Sequence, residues 1–187
     1  PSSPEFSPQF SSDLACGVRV LETEIAGIKA LAAGLDEKFA QAVDVIDAMK
    51  KHSGARLIVA GIGKSGHVAR KVAATLASTG TPSFFIHPGE ASHGDLGMIT
   101  GNDVVLMFSN SGENAELSDL IHHTRRFGLR LVAVTSRPDS ALGRTADICL
   151  TLPPAPEACP NGMAPTTSTT MMMALGDAIA IALLERM

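Results

Sequence analysis

The sequence predicts an α/β protein, a three-layer αβα sandwich doubly wound around a five-stranded parallel sheet. Three observations predict it. Five short apolar runs, Arg56–Ala60, Ser83–Ile86, Val104–Phe108, Leu131–Thr135 and Ile148–Leu152, alternate with stretches of helical periodicity. Runs apolar at nearly every position are strands covered on both faces, as in a parallel sheet between helix layers joined by right-handed crossovers. The runs also end in polar, Gly- or Ser-rich segments, and ligands of such folds sit beyond the carboxyl ends of the strands.

In chain order, residues 1–12 are rich in Pro and Ser and lack a basic region, so they read as a disordered lead-in or a cloning remnant and not as a signal peptide. The folded domain is expected over 13–187. From Asp13 to about His52 the pattern is helical: Leu21, Ile25, Ile28, Leu31 and Leu35 recur at three and four, then Phe39, Val43 and Ile46. Gly34-Leu35-Asp36 divides this stretch into two helices, with Asp36 capping the second. Further helices are expected over 67–79, 114–127 and 140–146, and from about Ser168 to Met187. Asp139 or Ser140 suits a cap, and the Met171–Met173 run reads as core or subunit contact.

At 187 residues, 45% hydrophobic and 18% charged, the chain is expected to form one domain with a sizeable core. It contains no Trp and no Tyr, the stacking platforms that nucleic-acid binders favour. A net charge of −4 gives no global attraction to polyanions, so phosphate binding must be local and no nucleic-acid partner is expected. Cys16, Cys149 and Cys159 show no C-x-x-C spacing and read as reduced thiols of a cytoplasmic protein. No apolar run reaches ~18 residues, so no membrane span is expected.

Gly61-Ile62-Gly63-Lys64-Ser65-Gly66 follows the first apolar run and opens a helical stretch, which puts unpaired N–H groups and a helix dipole at one spot, ready for an anion. A Walker A loop needs an earlier glycine where Ile58 stands, so that reading fails. The dinucleotide pattern G-x-G-x-x-G is met by Gly61, Gly63 and Gly66, but the acid expected about 20 residues on is missing from the end of the next strand, which runs into His87-Pro88-Gly89. A structural turn without a ligand is the plain alternative.

The other strand ends weigh against it. Ser109-Asn110-Ser111-Gly112-Glu113 offers more hydroxyls than a helix cap needs, which suits the oxygens of one monophosphate. Residues 87–97 combine His87, Glu90, His93 and Asp95 with glycines and a proline, a polar loop not expected to pack as an ordinary helix. His87 reads as a turn residue and His93 as functional. His93 is also a candidate zinc ligand, although His87 and His93 lack the spacing of a helical metal motif. Glu113 and Glu116 open the next helix, where one can face a ligand while the other is a dipole partner or solvated. Thr166, Thr167, Ser168, Thr169 and Thr170 supply surplus hydroxyls at the last helix start, a further wall of the same phosphate site.

G-I-G-K-S-G-H, H-P-G-E-A-S-H-G-D-L-G, S-N-S-G-E, T-S-R-P-D-S and A-P-T-T-S-T-T, in this order, resemble the sugar isomerase (SIS) domain family, from about Leu14 to Met187. Within it the chain is most like the D-arabinose 5-phosphate isomerases. The resemblance implies a flavodoxin-like doubly wound fold. It implies interconversion of D-ribulose 5-phosphate and D-arabinose 5-phosphate through a cis-enediol, toward the Kdo sugar of lipopolysaccharide. It implies Lys64, His93 and Glu116 as catalytic, and Gly63, Ser65, Ser109, Asn110, Ser111, Thr166, Thr167, Ser168 and Thr169 as substrate- and phosphate-binding. No cofactor is then required, with zinc at His93 as the alternative. The partner is a small phosphorylated sugar, with neither nucleic acid nor membrane, in a homotetramer whose sites are shared between subunits; the apolar stripe of the first helix suits packing on a partner.

The chemistry agrees. Moving a proton between two carbons needs a base, an acid for the oxygens and a cation or N–H for developing negative charge. Glu116 or His93 suits the base, and Lys64 the stabiliser or ring-opening acid. Family members carry a further histidine shortly after the last helix, and many add paired CBS modules; this chain stops at Met187 before either, so an excised domain or a shortened form of a longer protein is expected. Two other readings stand beside this one: another phosphosugar isomerase of hexulose phosphate type, and a non-catalytic sugar-phosphate-binding regulator.

Overall fold

In the computed structural model, which describes residues 8–187, the five apolar runs are strands β1 (Leu57–Gly61), β2 (Ser83–Ile86), β3 (Val104–Phe108), β4 (Arg130–Thr135) and β5 (Ile148–Thr151). They form one parallel sheet in the order β2-β1-β3-β4-β5, the flavodoxin-like winding. The strand order reverses between β1 and β3, where doubly wound folds open a ligand crevice. Register is set residue for residue, Leu57 beside Val104 and Gly61 beside Phe108.

Because side chains alternate across a strand, each strand feeds two cores. Leu57, Val59, Leu106, Phe108, Val132 and Val134 pack under α1 (Pro8–Ala33), α2 (Glu37–Met49), α3 (Gly63–Ser78) and α7 (Thr167–Leu184). Ile58, Ala60, Val105, Met107, Leu131 and Ala133 pack against the other layer, α4 (Pro88–Ala91), α5 (Ser118–Phe127) and α6 (Ala141–Thr145). Asp36 caps α2, its carboxylate accepting from Lys38 N at 2.9 Å, and Ser140 caps α6, accepting from Gly143 N at 3.1 Å.

Four expectations change. Helix α1 begins at Pro8, so residues 8–12 are helical and not part of a lead-in; the expectation for residues 1–7 lies outside the described residues. Helix α3 starts at Gly63 instead of 67, because Gly63 at φ 57° makes the turn within the first helical residue itself. Residues 87–97 hold the short α4 and a 3₁₀ turn at Asp95–Met98. Pro88 at the first helical position and His87 as its cap, accepting from Gly89 N at 3.1 Å, explain the extra turn. Helix α7 has the length and mean hydropathy, 1.5 over 18 residues, of a membrane-spanning helix, which its Thr and Ser start hid in the sequence. Half of that window is buried, packed on α3, α1 and α2, as in a core helix.

Helix α1 carries two stripes. Gly27 and Leu31 are buried, and Gly27 lies so close to α7 that a Cβ there would stand 2.5 Å from Thr167 Cγ2. The larger apolar residues Leu14, Val18, Leu21, Ile25 and Ile28 form a second stripe that is exposed, Leu21 at 62%.

Candidate active site

Every predicted site residue follows the carboxyl end of a strand or lies at a helix start there. The end of β1 is pinched: a Cβ on Gly61 would meet Phe108 O of β3 and Ser65 O of α3 at 3.0 Å each, and a Cβ on Gly66 would meet Gly61 O at 2.6 Å. Glycine at both positions lets α3 start directly on the sheet. No side chain caps this helix start, so its first-turn N–H groups are open to an anion. The Lys64 side chain stands there exposed, with no hydrogen bond or ion pair to any described residue, beside the half-buried Ser65.

The loop after β3 is built by its own hydroxyls. Ser109, 3% exposed, donates to Asn114 Oδ1 at 2.7 Å and accepts from Gly112 N at 3.1 Å. Ser111 donates to the same Oδ1 at 3.3 Å and accepts from Glu113 N at 3.3 Å. Ser109 therefore shapes the loop, its hydroxyl engaged on both sides. The Asn110 carbonyl accepts from Ser136 N and from the Thr135 and Ser136 hydroxyls, joining the β3 and β4 ends. Glu113 turns away to accept Ala141 N at 2.9 Å. The carboxylate of Glu116, exposed in a 3₁₀ turn at Ala115–Leu117, has no partner among the described residues.

Helix α4 packs against that 3₁₀ turn and against α5, so the segment of His93, two residues beyond α4, adjoins that of Glu116. The His93 side chain is exposed and unpaired among the described residues. Among those residues no three His, Cys, Asp or Glu side chains come together to hold a metal ion. His87 instead shares a cleft of about 130 Å³ with Gly63, Gly66, His67 and Arg70.

The start of α7 holds a residue that sequence reasoning missed. Glu157 Oε2 accepts from Thr166 N at 2.7 Å, Thr166 Oγ1 at 3.0 Å and Ser168 N at 3.3 Å. Burial alone would push this carboxyl up, but the hydrogen bonds from Ser168 and Thr166 outweigh it and hold it below the ordinary range. The Ser168 hydroxyl, buried and short of full hydrogen-bond geometry, faces this carboxylate. Glu157 and Ser168 line a cleft of about 490 Å³ with Asn110, Ser136 and Arg137, so two predicted residues, Asn110 and Ser168, do meet there. Thr169 donates to Thr166 O at 2.8 Å, and Thr167 is buried against α1. The signal for Glu157 was a lone carboxylate in the linker Pro153–Ala158, nine residues before a hydroxyl-rich helix start.

The SIS domain pattern matches residues 51–182. The chain belongs to the SIS domain family. This SIS domain is 50% identical over 167 residues to the arabinose 5-phosphate isomerase KdsD of Pseudomonas aeruginosa, covering 89% of this chain and 50% of that protein. It is 50% identical over 169 residues to KdsD of Yersinia pestis, covering 90% and 50%. The chain thus spans about half the length of the curated relatives it matches. Among solved structures, c3406 of E. coli CFT073 in complex with arabinose 5-phosphate superposes with a TM-score of 0.88 at 36% identity, covering 97% of this chain and 93% of that one.

Proposed function

We propose that this SIS domain is an aldose–ketose isomerase that interconverts D-ribulose 5-phosphate and D-arabinose 5-phosphate, supplying Kdo for lipopolysaccharide. Its likeness to the KdsD isomerases and to a structure with arabinose 5-phosphate bound supports the substrate. The observation that carries the chemistry is the free carboxylate of Glu116 beside the His93 segment, while its neighbour Glu113 is spent on Ala141.

In this reading the open N–H groups of α3, with Ser65 and Ser111, hold the phosphate. Glu116 takes the proton from C2 of the open-chain aldose. The C–H electron pair forms the C1=C2 bond, and the carbonyl oxygen gains a proton from His93. Lys64 stabilises the charge that develops on the oxygens. The enediol then gives its O2 proton to the now neutral His93 as the carbonyl re-forms at C2, and C1 receives the proton from Glu116, which restores both groups. These transfers call for no cofactor. The exposed stripe of α1 supports assembly with other copies, as a cytoplasmic homotetramer with shared sites.

The test is turnover of D-arabinose 5-phosphate in D₂O, followed by NMR. The reading requires conversion to ribulose 5-phosphate, with deuterium entering C1 in proportion to the exchange of the Glu116 proton with solvent before its return. Binding without conversion would instead make the domain a sugar-phosphate sensor, and turnover of hexulose phosphates alone would move it to that isomerase class.

A further inference from the structure

Helices α5 and α6 flank a second cleft, of about 470 Å³, which shares no lining residue with the cleft of Glu157 and Ser168. Arg125 and His122 reach it from α5 and Arg144 from α6, with Ser118 at its side. We infer that this cleft is a second ligand site, one that takes a small phosphorylated metabolite.

The charge balance argues for it. The chain as a whole is negative, at −4, yet two guanidiniums meet here and neither pairs with an acid among the described residues. Arg144 donates one N–H to the carbonyl of Asp139, which orients the head and leaves its other donors free. The Arg125 guanidinium makes no hydrogen bond to a described residue. Glu113, the one acid in the cleft, is held by Ala141 N through a single oxygen, so the lining carries two guanidiniums against one carboxylate. Unpaired guanidiniums from two elements, an imidazole and a free Ser118 hydroxyl supply more donors than a single carboxylate uses, and guanidinium forks match phosphoryl oxygens. The volume lies in the range of metabolite sites.

An occupant would also touch the loop that carries the reactive groups. Gly112 and Glu113 line the cleft, Gly112 O accepts from Leu142 N of α6, and Glu116 follows three residues later. Drawing Arg125 and Arg144 together across α5 and α6 therefore bears on the position of Glu116.

Inorganic pyrophosphate is the probe, titrated calorimetrically into this chain. The Lys64→Ala/Ser65→Ala double variant weakens anion binding at the start of α3 and is expected to keep the site between α5 and α6. Arg125→Gln and Arg144→Gln in that background are each expected to weaken this site at least tenfold, with thermal melting unchanged. Arg126→Gln, on the same helix but outside the cleft, is expected to leave it intact. Unchanged affinity in the Arg125 and Arg144 variants, complete loss in the Lys64/Ser65 variant, or equal loss in Arg126→Gln overturns the proposal. Citrate binding more tightly than pyrophosphate overturns the phosphoryl assignment. None of these readouts depends on isomerase turnover.

Discussion

The carboxylate of Glu113 accepts the backbone N–H of Ala141 at 2.9 Å, fastening the loop after β3 to the first turn of α6. Three residues on, Glu116 is left without a partner among the described residues. The two acids look equivalent in sequence and should separate in experiment. Glu116→Gln is expected to lower kcat by about 10²–10⁴-fold, the usual worth of a positioned base, with little change in melting temperature. Glu113→Gln is expected to keep turnover within about tenfold and to lower the melting temperature, since it weakens a cap. Steady-state kinetics and calorimetry on both variants decide it.

Gly66→Ala is expected to destabilise the domain by about 1–3 kcal/mol, because the new Cβ would stand 2.6 Å from Gly61 O and backbone, unlike a side-chain tip, cannot swing away. Gly97→Ala, where nothing lies within 4 Å of a Cβ, is the control. Urea unfolding of both variants checks the contrast.

Glu157 links pH to the anchoring of α7. Its carboxyl binds a proton more weakly folded than unfolded, so as pH falls the unfolded chain takes up the proton first. The cap therefore contributes fully above the ordinary carboxyl value of 4.5 and is lost as pH drops through the lower folded value. Wild type is expected to lose stability across that window more steeply than Glu157→Gln, whose side chain does not titrate. Parallel curves for the two proteins in acid unfolding would sink this reading.

The sheet was legible because an apolar run records burial on both faces, and all five strands fall within one residue of their expected ends. What covers an apolar face was not. Leu21, Ile25 and Leu31 share one helical period, yet only Leu31 is buried in this chain. Periodicity names a face, not its neighbour. At the strand ends, residue type could not tell a hydroxyl that holds a loop from one left free for a ligand: Ser109 and Thr166 both spend theirs on the protein. Glu157 escaped notice because two of its three hydrogen bonds come from backbone N–H groups, which sequence does not distinguish.

Cys159 and Cys149 should differ in reactivity. Backbone N–H groups of Ala164, Asn161 and Met163 stabilise the Cys159 thiolate and lower its pKa, and the residue is partly open to solvent. Cys149 is buried on β5. Iodoacetamide at neutral pH is expected to modify Cys159 in the native protein and Cys149 only after unfolding, as read by peptide mass spectrometry. Native modification of Cys149 at the rate of Cys159 would contradict the structure.

Charge on the outer stripe of α1 should break an assembly without unfolding the sheet. Leu21→Glu combined with Ile25→Glu, both exposed in the single copy, is expected to reduce the mass seen by light scattering while the melting transition of the body survives. An unchanged mass would show that the stripe is not the contact.

Residues 9–19 of α1 are exposed along their whole length, and a helix of that size standing off a protein surface is marginal in water. Its order must then come from whatever covers it. If other copies do, dilution acts on this segment as a denaturant acts on a core, and helical content per chain becomes a function of protein concentration while the five strands behind it stay as they are.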